Sequence, residues 1–451
     1  MDIGSRMELF VDDFLIRKME NLSLVLHPPE RKEKVLVFDK PWENPTSGYA
    51  TFIRDEKEIK MYYRGKSPGN DPDIETTCLA VSKDGIHFSR PSLGLVEFQG
   101  SRDNNILLQG KAFCHNFTPF LDTNPHCRAE ERYKAVGGHE RTGINTGLLY
   151  GFVSPDGVHW HKIQEGPVMT RGMFDSQNNA FFDTNTGRYV CYFRYFHNLH
   201  LENPGEYEGI RAIRCAFSDD FREWSLPEDL VYKPDVMEEF YTNAILPCPE
   251  APHLYLGFPK RFVPGRTRDS FTQDGTGVSD AMFITARHPF RWDKTFLQAW
   301  VRPGLDQKNW VNRNNMPCLG ILDTGYHEFS MYISEHYRMP SSGIRRLSLR
   351  KHGFASVHAG AGEGLLLTKS FLFRGDFLHV NASTSATGFI RVRILDANGH
   401  VLGQSDDWFG DALSERLSFG KSLKPYEKAG IQLEISMRDA DLYAIKFMEG
   451  A

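Results

Sequence analysis

Apolar and polar positions alternate with a period of two along most of the chain, and the 3.6-residue period of an amphipathic helix is nearly absent. Paired runs rich in aromatic and β-branched residues recur at 49–54 with 60–64, 118–121 with 133–136, 180–183 with 189–195, 244–247 with 254–258, and 318–322 with 328–333. Gly, Pro, Asn and Asp bound them, so each pair predicts two strands. A turn of fixed composition follows each pair: a Ser or Thr, a short polar stretch with Asp or Gly, then an aromatic residue. The copies begin at Ser82, Ser154, Ser218, Thr285 and Ser348 and end at Phe88, Trp160, Trp224, Trp292 and Phe354. In such a turn Asp or Ser accepts backbone hydrogen bonds, Gly permits a positive φ, and the ring covers the apolar layer below.

Self-similarity at a spacing of roughly 60–70 residues signals a repeat architecture. Each repeat has length for four antiparallel strands, which is one propeller blade. The expectation is an all-β chain: a five-bladed β-propeller over 1–358 followed by a C-terminal β-sandwich over 359–451. The runs 9–16, 22–27 and 34–38 precede the first repeat and lack its turn, and they are expected to close the ring on the first and last blades. The glycine-rich link 359–364 leads into shorter alternating runs at 365–369, 377–382, 388–395, 415–419, 431–437 and 440–447, with an Asn398-Gly399 turn, which describe the sandwich.

Bulk properties narrow the function. A chain of 451 residues exceeds the ~250–300 at which one core stops growing. Its 40% hydrophobic and 25% charged residues exclude extended disorder, and no apolar run approaches the ~20 residues of a membrane span. A net charge of −5 supplies no positive field for nucleic acid. Neither nucleic acid nor membrane is therefore an expected partner; a carbohydrate enters only with the site residues and the resemblance below. Seven scattered cysteines without a CxxC pair suit a reducing compartment. His197 and His200 have near-ligand spacing, but nothing completes a tetrahedral set, so no metal and no cofactor is expected. Residues 1–10 lack a basic and apolar leader, which points to the cytoplasm for the chain as given, or to secretion if a signal was removed.

In a propeller, polar residues just before each innermost strand converge on one central cavity. Those positions read Trp42-Glu43-Asn44, Cys114-His115-Asn116, Phe174-Asp175-Ser176-Gln177-Asn178-Asn179, Glu238-Glu239-Phe240-Tyr241-Thr242-Asn243 and Trp310-Val311-Asn312-Arg313-Asn314-Asn315. The ends of the second strands return to the same rim with Arg64, His139 and Glu140, Arg194, Lys260 and Arg261, and Glu335 and His336. Glycosidic cleavage generally needs two carboxyl groups flanking the bond. Asp175 is assigned as base or nucleophile and Glu239 as acid, the latter only because its side chain is longer. Glu43 is a third carboxylate able to tune or exchange these roles, and Glu238 competes with Glu239. Substrate contacts are expected from Asp13, Arg64, His115, Asn178, Arg194, Tyr241, Lys260, Arg313 and Glu335. Asp12 and Asp13 sit within an apolar run, where an acid is costly unless bonded, so one should face the cavity or a turn and the other solvent.

The turns resemble the Asp-box of sialidase-like propellers, a structural motif. Five blades with central carboxylates and an added sandwich resemble the propeller glycoside hydrolases of the fructosidase and arabinanase type. More closely, the strings Leu-Phe-Val-Asp-Asp-Phe-Leu-Ile at 9–16, Met-Tyr-Tyr-Arg-Gly at 61–65, Ser-Lys-Asp-Gly-Ile-His-Phe at 82–88 and Tyr-Thr-Asn-Ala at 241–244 resemble proteins described as glycosidase-like. The resemblance implies hydrolysis of a glycosidic bond in an oligosaccharide or glycan. Alternatives are a glycoside phosphorylase or transglycosylase, in which Arg64, Arg194 and Lys260 bind phosphate or an acidic sugar, or a non-catalytic carbohydrate-binding protein. The fructosidase strings Asn-Asp-Pro-Asn-Gly, Arg-Asp-Pro and Glu-Cys are missing, so no catalytic residue is carried over from those enzymes.

Overall fold

A computed structural model describes residues 1–56, 58–66, 75–110, 115–141, 143–197, 209–268 and 276–450. Cys114 and His200, and the side chains of His139 and Glu140, lie outside the described residues. The chain is all-β, built from many small sheets. It divides into two compact units, 29–348 and a second made of 1–28 with 349–451.

In the first unit, consecutive strands pair as neighbours. One sheet runs Gly48–Asp55, Glu58–Lys66, Glu75–Ser82, Ile106–Gln109. The next runs Thr118–Leu121, Tyr133–Arg141, Gly147–Ser154, His161–Lys162, and the third Asn179–Asp183, Arg188–His197, Ile210–Ser218, Glu228–Asp229. The fourth repeat is divided. Ile245–Cys248, Ala251–Gly257, Ile284–His288 and Arg291–Asp293 form one sheet with Val231–Lys233 added in parallel, while Glu239–Thr242, Lys260–Val263 and Val278–Ala281 form another. In the last sheet Met316–Pro317 and Leu322–Asp323 both pair with Glu328–Glu335, followed by Gly343–Arg350 and then Glu30–Val37.

A strand from the start of the chain thus completes the last sheet. The other two N-terminal runs do not join this unit. The run 9–16 is not one strand: Glu8–Leu9 pairs with Gln432–Met448, 10–15 is irregular, and the next strand, Ile16–Glu20, pairs with Gly364–Thr368, while Leu22–Leu26 pairs with Ala355–Ala359 in the same sheet. The division accordingly falls at Ser348/Leu349 and not at 358/359.

Inner strands carry apolar residues on both faces because each sheet packs against two neighbours. Tyr189 through Tyr195 is buried without a break, and so is Ile59 through Gly65. Rings interleave between repeats: Phe52 stacks on Tyr332 with centroids 3.7 Å apart, and Tyr192 meets Trp292 edge-on at 6.0 Å.

Three of the five recurring turns share one hydrogen-bond pattern. Ser82, Ser154 and Ser218 accept at Oγ from the backbone N–H three residues on, at 2.9, 2.9 and 2.8 Å. Asp84, Asp156 and Asp220 accept from the two N–H groups that follow. The donor after each Asp has positive φ, which is easy for Gly85 and Gly157 but strained for Phe221 at 65°. Phe221 compensates by burying its ring against Tyr189 and Trp224. The fourth turn keeps only the indole bond, Trp292 Nε1 donating to the Pro289 carbonyl at 2.9 Å. The fifth differs: Gly343–Arg350 pairs onward with Glu30–Val37, and Ala355–Ala359 already belongs to the second unit.

The second unit is one nine-stranded antiparallel sheet plus a short parallel pair, Asp2–Gly4 with Leu372–Phe373. The runs expected at 377–382 and 388–395 are one strand, Phe377–Leu395, and those at 431–437 and 440–447 are another, Gln432–Met448. These pair with each other, with register shifts at Asn381/Ala382 and Thr384/Phe389. Ile390, Val392, Ile394, Leu433, Ile435 and Met437 are buried on this sheet. Among the described residues no helix is long and apolar enough to cross a membrane.

Candidate functional site

In an antiparallel repeat the first strand starts, the second ends and the third starts at the same edge. Residues from these three positions meet in two linked clusters. In the first cluster, Arg64, near the end of Glu58–Lys66, donates to Asn116 Oδ1 at 2.9 Å and to the Thr46 carbonyl at 2.8 Å. Its guanidinium carbon lies 4.4 Å from the Tyr49 ring centroid. Glu75, the first residue of Glu75–Ser82, meets His115 Nδ1 at 2.6 Å, and His115 Nε2 meets Asp175 Oδ1 at 2.9 Å. The other oxygen of Asp175 is 3.8 Å from Arg194 Nη2. Burial alone would lower the His115 pKa, but Glu75 and Asp175 outweigh it and the value is raised. His115 is therefore a proton-bearing ring held between two carboxylates.

The second cluster surrounds Tyr241. Lys260 Nζ lies 3.8 Å from the ring centroid, and the guanidinium carbons of Arg194, Arg211 and Arg313 lie at 5.3, 5.4 and 5.9 Å. Arg211 Nη1 donates to Glu239 Oε2 at 2.7 Å. Lys260 is 0% exposed, and burial together with Arg313, Arg211 and Arg194 pushes its pKa far down. Lys260 Nζ, Nε and Nη2 of Arg194, and Nε of Arg64 and Arg211 are buried without a hydrogen-bond partner among the described residues. Tyr337 sits 6.0 Å from Arg313; burial would raise its hydroxyl pKa, yet Arg64 and Arg313 bring it below the usual value. Several residues here hold positive φ without being glycine: Tyr49, Asn116, Ala244, Arg313 and Asn315. Strained backbone of this kind concentrates where a site must be held in shape.

Eight candidates from the sequence come together in these clusters: Asp175, Glu239, Arg64, His115, Arg194, Tyr241, Lys260 and Arg313. Asp175 has the more open side chain of the two acids, 29% exposed against 16% for Glu239. Glu238 separates cleanly from Glu239. It accepts from Arg261 at 2.8 Å and lies 3.5 Å from Lys294, lining a cleft of about 400 Å³ with Tyr195, Tyr232 and Phe240.

Glu43, Glu335, Asn178 and Asp13 do not join. Glu43 is buried and accepts from Tyr63 Oη, Arg90, and the backbone N–H groups of Asp39 and Lys40, so its oxygens are committed to holding a loop. Glu335 is buried between Arg31 and Arg345 and ties Glu30–Val37 into the last sheet. Asn178 turns its amide N–H groups onto the Phe174 and Ser176 carbonyls at 2.9 and 3.1 Å, which shapes the Asp175 loop from behind. Other rim amides act between repeats, Asn179 donating to the Ile245 carbonyl at 2.6 Å and Asn315 to the Ser279 carbonyl at 2.9 Å. Asp13 is exposed and belongs to the second unit, while its neighbour Asp12 caps a turn by accepting from Phe14 N at 3.0 Å.

Glu75, Arg211, Tyr49 and Tyr337 were not among the sequence candidates. Glu75 and Arg211 occupy the start of the third strand in their repeats, the one rim position that strand starts and second-strand ends leave out. Among the described residues no group of three or more His, Cys, Asp or Glu is arranged to hold a metal ion.

No protein-family model and no curated protein sequence matches the chain. Solved structures with partial likeness include a protein titled "Glycoside hydrolase", at 10% identity and a TM-score of 0.46, covering 72% of this chain and 92% of that one. A family 43 arabinoxylan arabinofuranohydrolase from Bacillus subtilis, in complex with cellotetraose, matches at 11% identity and a TM-score of 0.44, covering 91% and 97%. A structure from work on the GH130 family of mannoside phosphorylases, with hydrolases that target β-1,2 mannosidic linkages in Candida mannan, matches at 15% and 0.45, covering 72% and 94%.

Proposed function

We propose that this chain hydrolyses a glycosidic bond, with Asp175 and Glu239 as its two carboxyl groups. The observation that carries this reading is their common link through Tyr241. Asp175 pairs with Arg194 and Glu239 with Arg211, and both guanidinium groups flank that one ring. Two acids on different repeats, joined across an aromatic face, are what a bound sugar ring requires on either side.

The roles follow from the neighbours. Arg211 holds one oxygen of Glu239 in a charge-assisted hydrogen bond, which orients the carboxyl as a base that activates water or a nucleophile that attacks the anomeric carbon. A general acid must deliver a proton, and His115, whose pKa Glu75 and Asp175 raise, stands next to Asp175 as its source. As the C–O bond breaks, that pair's proton passes to the leaving oxygen through Asp175. Water then supplies the hydroxyl for the sugar and a proton for the enzyme. This reverses the assignment from side-chain length, because charge partners decide protonation and reach does not.

In this reading the sheet repeats of 29–348 are the five blades of one propeller, and the second unit is the β-sandwich, now including 1–28. The test is turnover on a panel of aryl glycosides and oligosaccharides with Asp175→Asn and Glu239→Gln. Each should fold and lose at least about a hundredfold in kcat, the lower range for an acid or base. Wild-type turnover in both folded variants would overturn the assignment.

A further inference from the structure

Three arginines and a buried lysine amine surround Tyr241, and they outnumber the acids there. Arg194 has Asp175 and Arg211 has Glu239, but Arg313 brings a further positive charge and Lys260 a further buried donor to the same ring. Lys260 sits in the sheet between Thr242 and Ala281 and is fully buried, so its amine is withdrawn from solvent. Arg194 is 3% exposed, and two of its three nitrogens have no hydrogen-bond partner among the described residues. Native proteins pair nearly all buried donors, and unpaired ones mark places that a ligand fills. Crowded guanidinium groups beside a lysine whose charge they suppress make the same point, since an anion between them offsets the repulsion, meets the free donors and favours the protonated form of Lys260. A guanidinium fork beside an ammonium is the donor set that grips a carboxylate or phosphate.

We propose that Lys260, Arg194, Arg211 and Arg313 form an oxyanion pocket over Tyr241, which takes the carboxylate of an acidic sugar or an inorganic phosphate ion. The proposal deepens the glycosidase reading by naming the ligand's charge, and its binding step does not depend on turnover. A uronate carboxylate would make the substrate an acidic glycan. Phosphate would make the attacking group hydrogen phosphate in place of water: its oxygen bonds to the anomeric carbon as the glycosidic C–O bond breaks, the leaving oxygen takes the His115–Asp175 proton, the proton lost by the phosphate returns to that pair, and a sugar 1-phosphate forms.

The test is calorimetric titration of the full chain with inorganic phosphate and, separately, with galacturonate and glucuronate, at constant ionic strength. Galactose and chloride serve as controls. One oxyanion class should bind, and Lys260→Met and Arg194→Gln should each weaken it at least tenfold. Unliganded Lys260→Met should melt at or above the wild-type temperature, because it removes a buried amine that lacks a partner, and it should lose the rise in melting temperature that the anion gives wild type. If Lys260→Met does not fold, Arg313→Gln, at a more open position, replaces it. Asp175→Asn should bind the oxyanion at least as tightly as wild type while inactive, so failed hydrolysis and failed anion binding are read separately. Binding by neither class, or binding that survives both Lys260→Met and Arg194→Gln, overturns the proposal.

Discussion

His115 bridges Glu75 and Asp175, with Nδ1 2.6 Å from one carboxylate and Nε2 2.9 Å from the other, so three side chains from three successive repeats form one proton-sharing chain. His115→Gln keeps a polar group of similar reach but cannot carry the proton. We expect it to lower kcat by about two to four orders of magnitude with little change in KM, the range for loss of acid–base assistance. It should also remove the basic limb of the pH–rate profile, and an unchanged profile would count against the relay.

The same bridge makes stability depend on pH. The folded-state pKa of His115 lies above its unfolded value near 6.5. Its contribution is therefore fully present below about pH 6.5 and is lost as pH rises through the folded value. Thermal midpoints of wild type should fall across that window, and the fall should be smaller in His115→Gln.

Glu43 should behave as a structural acid. Glu43→Gln removes the charge from a buried carboxylate that holds Arg90, Tyr63 and two backbone N–H groups, which costs about 3 kcal/mol or more. The melting temperature should drop on the order of 5 °C or more, while kcat per folded molecule stays within about threefold. A loss of kcat in well-folded protein would instead return Glu43 to the chemistry.

Adjacent acids should part company. Glu238→Gln disturbs only the pairs with Arg261 and Lys294, whereas Glu239→Gln frees Arg211 beside Tyr241. Steady-state kinetics should show near wild-type kcat for the first and loss for the second. Equal loss in both would remove the basis for separating them.

The turn acids should matter at low pH. His87 and backbone N–H groups hold the Asp84 carboxyl well below the usual range, and His159 with backbone N–H groups does so for Asp156 despite some burial. A depressed carboxyl stabilises the fold above its unfolded pKa near 3.9, and that stabilisation is lost as pH falls toward the folded value. Asp84→Ala and Asp156→Ala should flatten the acid side of the stability curve, with exposed positions limiting each effect at neutral pH to about 1 kcal/mol.

The sequence by itself determined the all-β class and three Ser-Asp turns, because period-two patterning and turn chemistry are local. Eight of the residues it singled out lie together in the two clusters, since antiparallel connectivity fixes which strand ends share an edge. Strand partners were decided only in three dimensions. Leu22–Leu26 and Glu30–Val37 read alike as short β runs, yet one pairs with Ala355–Ala359 and the other with Gly343–Arg350, more than 300 residues away in each case. Side-chain roles were likewise tertiary. Glu43, Glu238, Glu239 and Glu335 are the same residue at similar repeat positions. What separates them is which arginine, tyrosine or backbone N–H lies within reach, and that is set by loop folding within a repeat for Glu43 and Glu238 and by packing between repeats for Glu239.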